Sequence, residues 1–347
     1  MRIFLLLLPL GVLFSALQSL AETPPLIRWS NNMVHQPLPP LTPVKATREW
    51  KLCALYPNLK DAYWLSINYG MVKQARVSGV ALKIFEAGGY QQLAMQREQL
   101  SHCRRWGADA ILLSSSVSQF PALAESLGET PVIEVVNAVH DGGNRTRVGV
   151  AWYQMGYIPG HYLATHQKQK TLNVLLMPGP KEAGGSQAME QGFRQAIINS
   201  NIHIVDVAYG DNDLEVQRNQ LQSMLEKHPQ INVVAGTAIA AEVAMGEARN
   251  RQHPLGVVSF YLSHQVYRGL KRNRIIMAVS DQMVLQGELA VSQAIRILQH
   301  QPVVDNLSPR ILLLTPENVS RQKVASSLSP LGFRPVYAFQ RTSAANR

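Results

Sequence analysis

From Lys51 onward the chain alternates short runs of consecutive apolar residues with longer segments in which apolar residues recur at helical spacing. Continuous apolar runs bounded by turn residues mark strands buried on both faces, and three-to-four spacing marks the helices that cover them. The pattern predicts strands over 52–56, 81–86, 110–113, 131–136 and 147–151, with helices over 62–78 and 91–106. It then restarts, with strands over 173–177, 204–209, 233–235, 255–260 and 275–278 and helices over 186–199, 214–228, 240–250 and 264–271. A helix over 284–299 and strands over 311–314 and 336–339 close the series, too few to make a third unit. Two strand-helix-strand series imply an α/β protein of two lobes, each a mainly parallel sheet flanked by helices, with one ligand cleft between them. The expected first lobe takes 51–150 and about 281–305, and the second takes 151–280 and part of 306–347.

The segment before Lys51 is of another kind. Arg2 precedes an apolar run from Ile3 to Leu17, and small residues alternate up to Ala21. This order marks a secretory signal peptide over 1–21, cleaved after Ala21, and the run is short of the roughly 20 residues that a membrane anchor needs. Residues 22–50 are rich in proline, show no sustained period and are expected to form an irregular arm, pinned by Trp29. No later apolar stretch is long enough to span a bilayer, so the mature chain is expected to be soluble in the periplasm.

Charge changes the picture little. The formal net charge is +10, but Lys and Arg are scattered, and the densest cluster, Arg268, Lys271, Arg272 and Arg274, has no interleaved aromatics. The excess reads as a solvated face, not a nucleic-acid surface. Cys53 and Cys103 are the two cysteines. Export to an oxidising compartment favours a disulfide between them, one that restrains the unfolded chain by on the order of 4 kcal/mol; two buried free thiols are the alternative.

Catalytic signatures fail one by one. The stretch from Gly179 to Ser186 has phosphate-loop spacing, yet Gly185 stands where that loop needs lysine. The histidines form no metal pair on a helix face, and His264, near the expected cleft, has no nucleophile with it. Asp61, Glu86, Asp281 and Glu288 are carboxylates whose separation the sequence does not reveal. No metal, cofactor or catalytic group is therefore expected.

Aromatic residues give the stronger signal. Tyr63 and Trp64 follow the first strand, Tyr90 the second, Trp152 and Tyr153 the strand that crosses into the second lobe, and Tyr261 the strand over 255–260. Each can fill a core, but all sit at carboxyl ends of strands, where open parallel sheets bind ligands.

Several stretches resemble the type I periplasmic binding proteins of the ribose-binding class: Ala54-Leu55-Tyr56-Pro57, Gly107-Ala108-Asp109-Ala110-Ile111-Leu112-Leu113 and Val279-Ser280-Asp281-Gln282-Met283. Further stretches, among them Asp61-Ala62-Tyr63-Trp64, Glu86-Ala87-Gly88-Gly89-Tyr90 and Pro178-Gly179-Pro180, resemble a branch of that family that binds trimethylamine N-oxide for a sensor histidine kinase. The resemblance implies an aromatic cleft formed by Tyr63, Trp64, Tyr90, Trp152 and Tyr261 with Asp61 and Asp281, and a partner in the periplasmic domain of such a kinase. A sugar-binding component of an uptake system is the alternative within the same fold.

Overall fold

The computed structural model describes residues 26–30, 34–140, 146–182 and 184–340. The signal peptide over 1–21 lies outside the described residues.

Two sheets carry the molecule. The first has nine strands in the order β15-β4-β3-β5-β6-β7-β13-β1-β2, and the second has six in the order β14-β12-β11-β10-β8-β9. In the first, β3 (Lys51–Tyr56) lies parallel between β4 (Ala81–Glu86) and β5 (Ala110–Leu113), followed by β6 (Val132–Val136) and β7 (Thr146–Gly149). In the second, β8 (Leu172–Gly179), β9 (Ile202–Tyr209), β10 (Val233–Gly236), β11 (Gly256–Ser259) and β12 (Met277–Ser280) are parallel, and β14 (Leu312–Leu314) is antiparallel at the edge. The chain passes between the sheets after β7, after β12, between β13 (Leu307–Pro309) and β14, and again before β15 (Ala338–Phe339). The expected two-lobe α/β architecture is thus present.

The expected arm contains two strands, which corrects the reading of 22–50 as irregular. β1 (Leu26–Trp29) pairs antiparallel with β13, and β2 (His35–Leu38) pairs with β1 at the sheet edge. Each has four residues, too few to show a period, and Pro37 is tolerated because an edge strand has one side free of ladder bonds. Trp29 packs on His35 with ring centroids 5.0 Å apart. The short helix α3 (Leu123–Leu127) is also not visible in the sequence pattern.

The helices that place the site begin at strand ends. α1 (Ala62–Ser78) is capped by Asp61, whose Oδ1 accepts from the Trp64 amide at 3.0 Å, and Gly79 ends it in the left-handed region at φ +78°. α2 (Leu93–Arg105) carries Cys103, which forms a disulfide with Cys53 of β3 at a Cα separation of 5.7 Å. α4 (Trp152–His166) and α5 (Ser186–Ala196) pack in direct backbone contact: a Cβ on Gly156 would lie 1.8 Å from the Met189 carbonyl oxygen. α7 (Ala238–Glu247) is capped by Thr237, whose hydroxyl accepts from the Ala240 amide at 3.2 Å.

Candidate functional site

A small cavity lies between the lobes at the carboxyl ends of both sheets. From the first lobe come Asp61, Tyr63 and Trp64 after β3, Tyr90 after β4, and Val136 at the end of β6. From the second come Trp152 at the start of α4, Pro178, Gly184, Ser186 and Met189 around β8 and α5, Asn212 after β9, Thr237 after β10, and Tyr261 after β11. The space open to the centre of a water-sized sphere is about 20 Å³. A volume of about 10–15 Å³ on that measure holds one water, so the walls here stand close together.

Five rings surround this space. The Tyr63 ring centroid lies 5.4 Å from Trp64, 5.2 Å from Tyr261 and 6.3 Å from Trp152, the first two pairs edge to face. Trp64 also meets Tyr56 edge to face at 5.7 Å and is only 2% exposed, so it is both cavity wall and core. Trp152 is half-buried and stands against the loop before α5. Gly185 there has φ +72°, and a Cβ on it would fall 2.1 Å from Trp152 Cγ. The residue that departs from the phosphate-loop pattern is glycine because the indole occupies the place of a side chain.

Val136 is held in a conformation that β-branched residues avoid, with φ +67°. The Asn137 amide donates to the Val135 carbonyl at 2.8 Å, closing a tight γ-turn around it. Two bonds brace the turn: Arg147 Nη2 donates to the Val136 carbonyl at 3.2 Å, and Asn137 Nδ2 donates to the Ser115 carbonyl at 2.8 Å.

Asp281 does not line the cavity. It is fully buried behind Tyr63, and its Oδ2 accepts from the Tyr63 hydroxyl at 2.5 Å and from Gln286 Nε2 at 2.6 Å, while Oδ1 has no partner. Burial lifts its carboxyl to about 6, against the pull of the Tyr63 and Gln286 hydrogen bonds. Asp61 rises to about 6 for the same main reason; the amides of Trp64 and Tyr63 oppose the shift and Asp211 adds to it. Burial also holds the Tyr63, Tyr90 and Tyr261 phenols well above their ordinary range, so all three are neutral donors near neutral pH.

The other carboxylates considered go elsewhere. Glu288 pairs with Lys73 at 2.6 Å, and Glu86 is absent from the cavity wall. His264 lies against the Ser329 carbonyl oxygen, 2.8 Å from Nε2. Among the described residues there is no group of His, Cys, Asp or Glu arranged to hold a metal ion, and no helix long and apolar enough to cross a membrane. The sequence does not single out Val136, Met189, Asn212 or Thr237, because each is brought to the cavity only by the meeting of the lobes. Asn212 and Thr237 do follow strand ends, which is the signal that could have found them.

The family described as periplasmic binding proteins and sugar binding domain of LacI family matches residues 49–342. The chain belongs to this family. Within it, the Periplasmic protein TorT of Escherichia coli (strain K12) is 62% identical over 322 residues, which is 93% of this chain and 94% of the relative. Two solved structures of a TorS sensor domain–TorT complex also resemble this binding protein. The one in the absence of ligand has a TM-score of 0.78 at 43% identity, and the one in the presence of TMAO (trimethylamine N-oxide) has 0.77 at 42%. Each match covers 83% of this chain and 100% of the solved one.

Proposed function

We propose that this chain is a periplasmic sensor protein that holds trimethylamine N-oxide in the interlobe cage and conveys its presence to the outer domain of a membrane histidine kinase. The observation that carries the reading is the convergence of Tyr63, Trp64 and Tyr90 from one lobe and Trp152 and Tyr261 from the other on a single small cavity. The three methyl groups of the ligand carry partial positive charge, and ring faces attract them, by about 2 kcal/mol or more per desolvated ring. Its oxygen only accepts hydrogen bonds, and the neutral phenols of Tyr90 and Tyr261, the Thr237 hydroxyl and the Asn212 amide supply donors, the Tyr63 proton being committed to Asp281. Asn212 Oδ1 has no partner in the closed cage, which leaves its amide free to turn a donor inward.

A pyranose fits less well. It needs many polar partners around a six-membered ring, whereas this wall is mostly aromatic and the space is small. The family is described as one of binding proteins, and the reading is accordingly of a carrier of information and not of an enzyme. Export through the leader over 1–21, with cleavage after Ala21, would deliver it to the periplasm, the compartment of its family.

Signalling requires that ligand change the surface offered to the kinase, since binding biases a receptor only by its differential affinity for two states. Closure of the two lobes is such a change. The test is co-purification of the kinase's periplasmic domain with this protein, with and without trimethylamine N-oxide. Association is expected, with a ligand-dependent change in affinity or in protection of the contact surface. Absence of association under both conditions would exclude the sensor role.

A further inference from the structure

The cage has a neighbour of opposite charge. Asp61 is the carboxylate on the cage wall, and no Lys or Arg lines that wall among the described residues. Trp152, Gly184 and Ser186 are shared with a second, open cleft of about 500 Å³. Arg147, Lys181 and His140 line that cleft, with Glu182 as the single carboxylate among its described lining residues. Lys181 and His140 are exposed, and the Arg147 guanidinium, which feels the Glu134 carboxylate of β6, donates from Nη2 to the Val136 carbonyl and has a buried Nε without a hydrogen-bond partner.

We propose that cage and cleft together take a trimethylammonium carboxylate, with the methylated head among the rings and the carboxylate at Lys181 and Arg147. This rests on the cage being the ligand site. A full cation gains more from the ring faces than the net-neutral N-oxide, and it also neutralises Asp61 in a space where a lone carboxylate is costly. The carboxylate tail meets the exposed Lys181 ammonium and the Arg147 Nε, which has no hydrogen-bond partner. The Trp152 indole, laid on Gly185, belongs to the walls of both spaces, and the spacer of such a ligand would pass along its edge.

Calorimetric titration of the mature chain with trimethylamine N-oxide, choline and γ-trimethylammonio-butyrate tests this, on wild type and Lys181→Ala at low and high salt. The butyrate is expected to bind about fivefold tighter than choline, as one partly exposed ion pair allows. Lys181→Ala and high salt should each remove most of that advantage while trimethylamine N-oxide is unaffected. Lys181 is exposed, so the variant should fold normally. A butyrate affinity no better than choline's, or one indifferent to Lys181→Ala, overturns the proposal. If trimethylamine N-oxide itself fails to bind, it is the preceding reading that fails; if it binds and the butyrate does not, this inference alone fails.

Discussion

The Tyr63 hydroxyl donates to Asp281 Oδ2 at 2.5 Å, and this bond joins a cage ring on α1 to the crossing between β12 and α9 (Met283–Leu298). The same crossing holds Gln282 in the left-handed region at φ +58°, and its side chain donates to the Arg310 carbonyl at 2.7 Å and accepts from the Ser326 hydroxyl at 2.7 Å. One short segment thus touches the cage, the β13–β14 crossing and the chain returning to the first sheet. Tyr63 is thus tied by its hydroxyl to the segment in which the chain crosses between the sheets, beside the close packing of α1 on α9. Tyr63→Phe is expected to destabilise the fold by about 1–3 kcal/mol, because Asp281 loses one of its two side-chain donors while remaining buried. Thermal unfolding at pH 7.5 reads this loss.

The raised carboxyl of Asp281 makes a claim about pH. Its folded value of about 6 exceeds the ordinary 3.8, so the folded state prefers the protonated form. Stability should therefore fall as pH rises from about 4 to about 6, and the penalty is fully present above that window. Asp281→Asn keeps the shape and removes the charge. It should raise the melting temperature by a few degrees at pH 7.5, on the order of 2–3 kcal/mol, and by little at pH 4. Melting curves of both proteins across that range check the sign.

Trp64 and Trp152 should separate when each is replaced by alanine. Trp64 is core as well as wall, and its loss opens a cavity worth about 3–5 kcal/mol. Trp152 is half-buried, at the edge of the core between Gly185 and the Tyr63 ring, so Trp152→Ala should keep most of the stability and lose most of the binding. Circular dichroism melts run beside titrations distinguish the two. The complementary change, Gly185→Ala, should also weaken binding, since its Cβ would displace the indole and its φ is unfavourable for any side chain.

Val136 predicts a trade between stability and binding. Glycine at φ +67° relieves backbone strain of order 1 kcal/mol or more, yet it removes a methyl-bearing wall of the cage. Val136→Gly is expected to lose less stability than the about 1.5–3 kcal/mol that a fully buried valine side chain is ordinarily worth, because relief of the turn offsets part of it, while its ligand affinity drops severalfold. A variant that melts far lower would show that the side chain, and not the turn, is what the position contributes.

Much of the architecture is legible in the sequence, for physical reasons. β3 and β5 are buried on both faces and so appear as nearly unbroken apolar runs, β4 remains readable although Lys83 interrupts it, and α1 starts at Asp61 because an acid before an apolar-periodic segment caps a helix. β1, β2 and β13 are set by their pairing with one another across most of the chain, and three or four residues cannot carry a period of their own. The rings of the cage are legible because strand ends are where ligands gather. That Asp281 stands behind Tyr63, and that Asn212 and Thr237 complete the wall, depends on how two lobes meet, which no local pattern encodes.

The most direct measurement is a calorimetric titration of the mature protein with trimethylamine N-oxide, with ribose as control and Trp152→Ala beside wild type. The account predicts a saturable one-site isotherm for the N-oxide, none for ribose, and loss of the N-oxide signal in a Trp152→Ala protein that remains folded. Binding of ribose in place of the N-oxide, or N-oxide binding undiminished by Trp152→Ala, would contradict it.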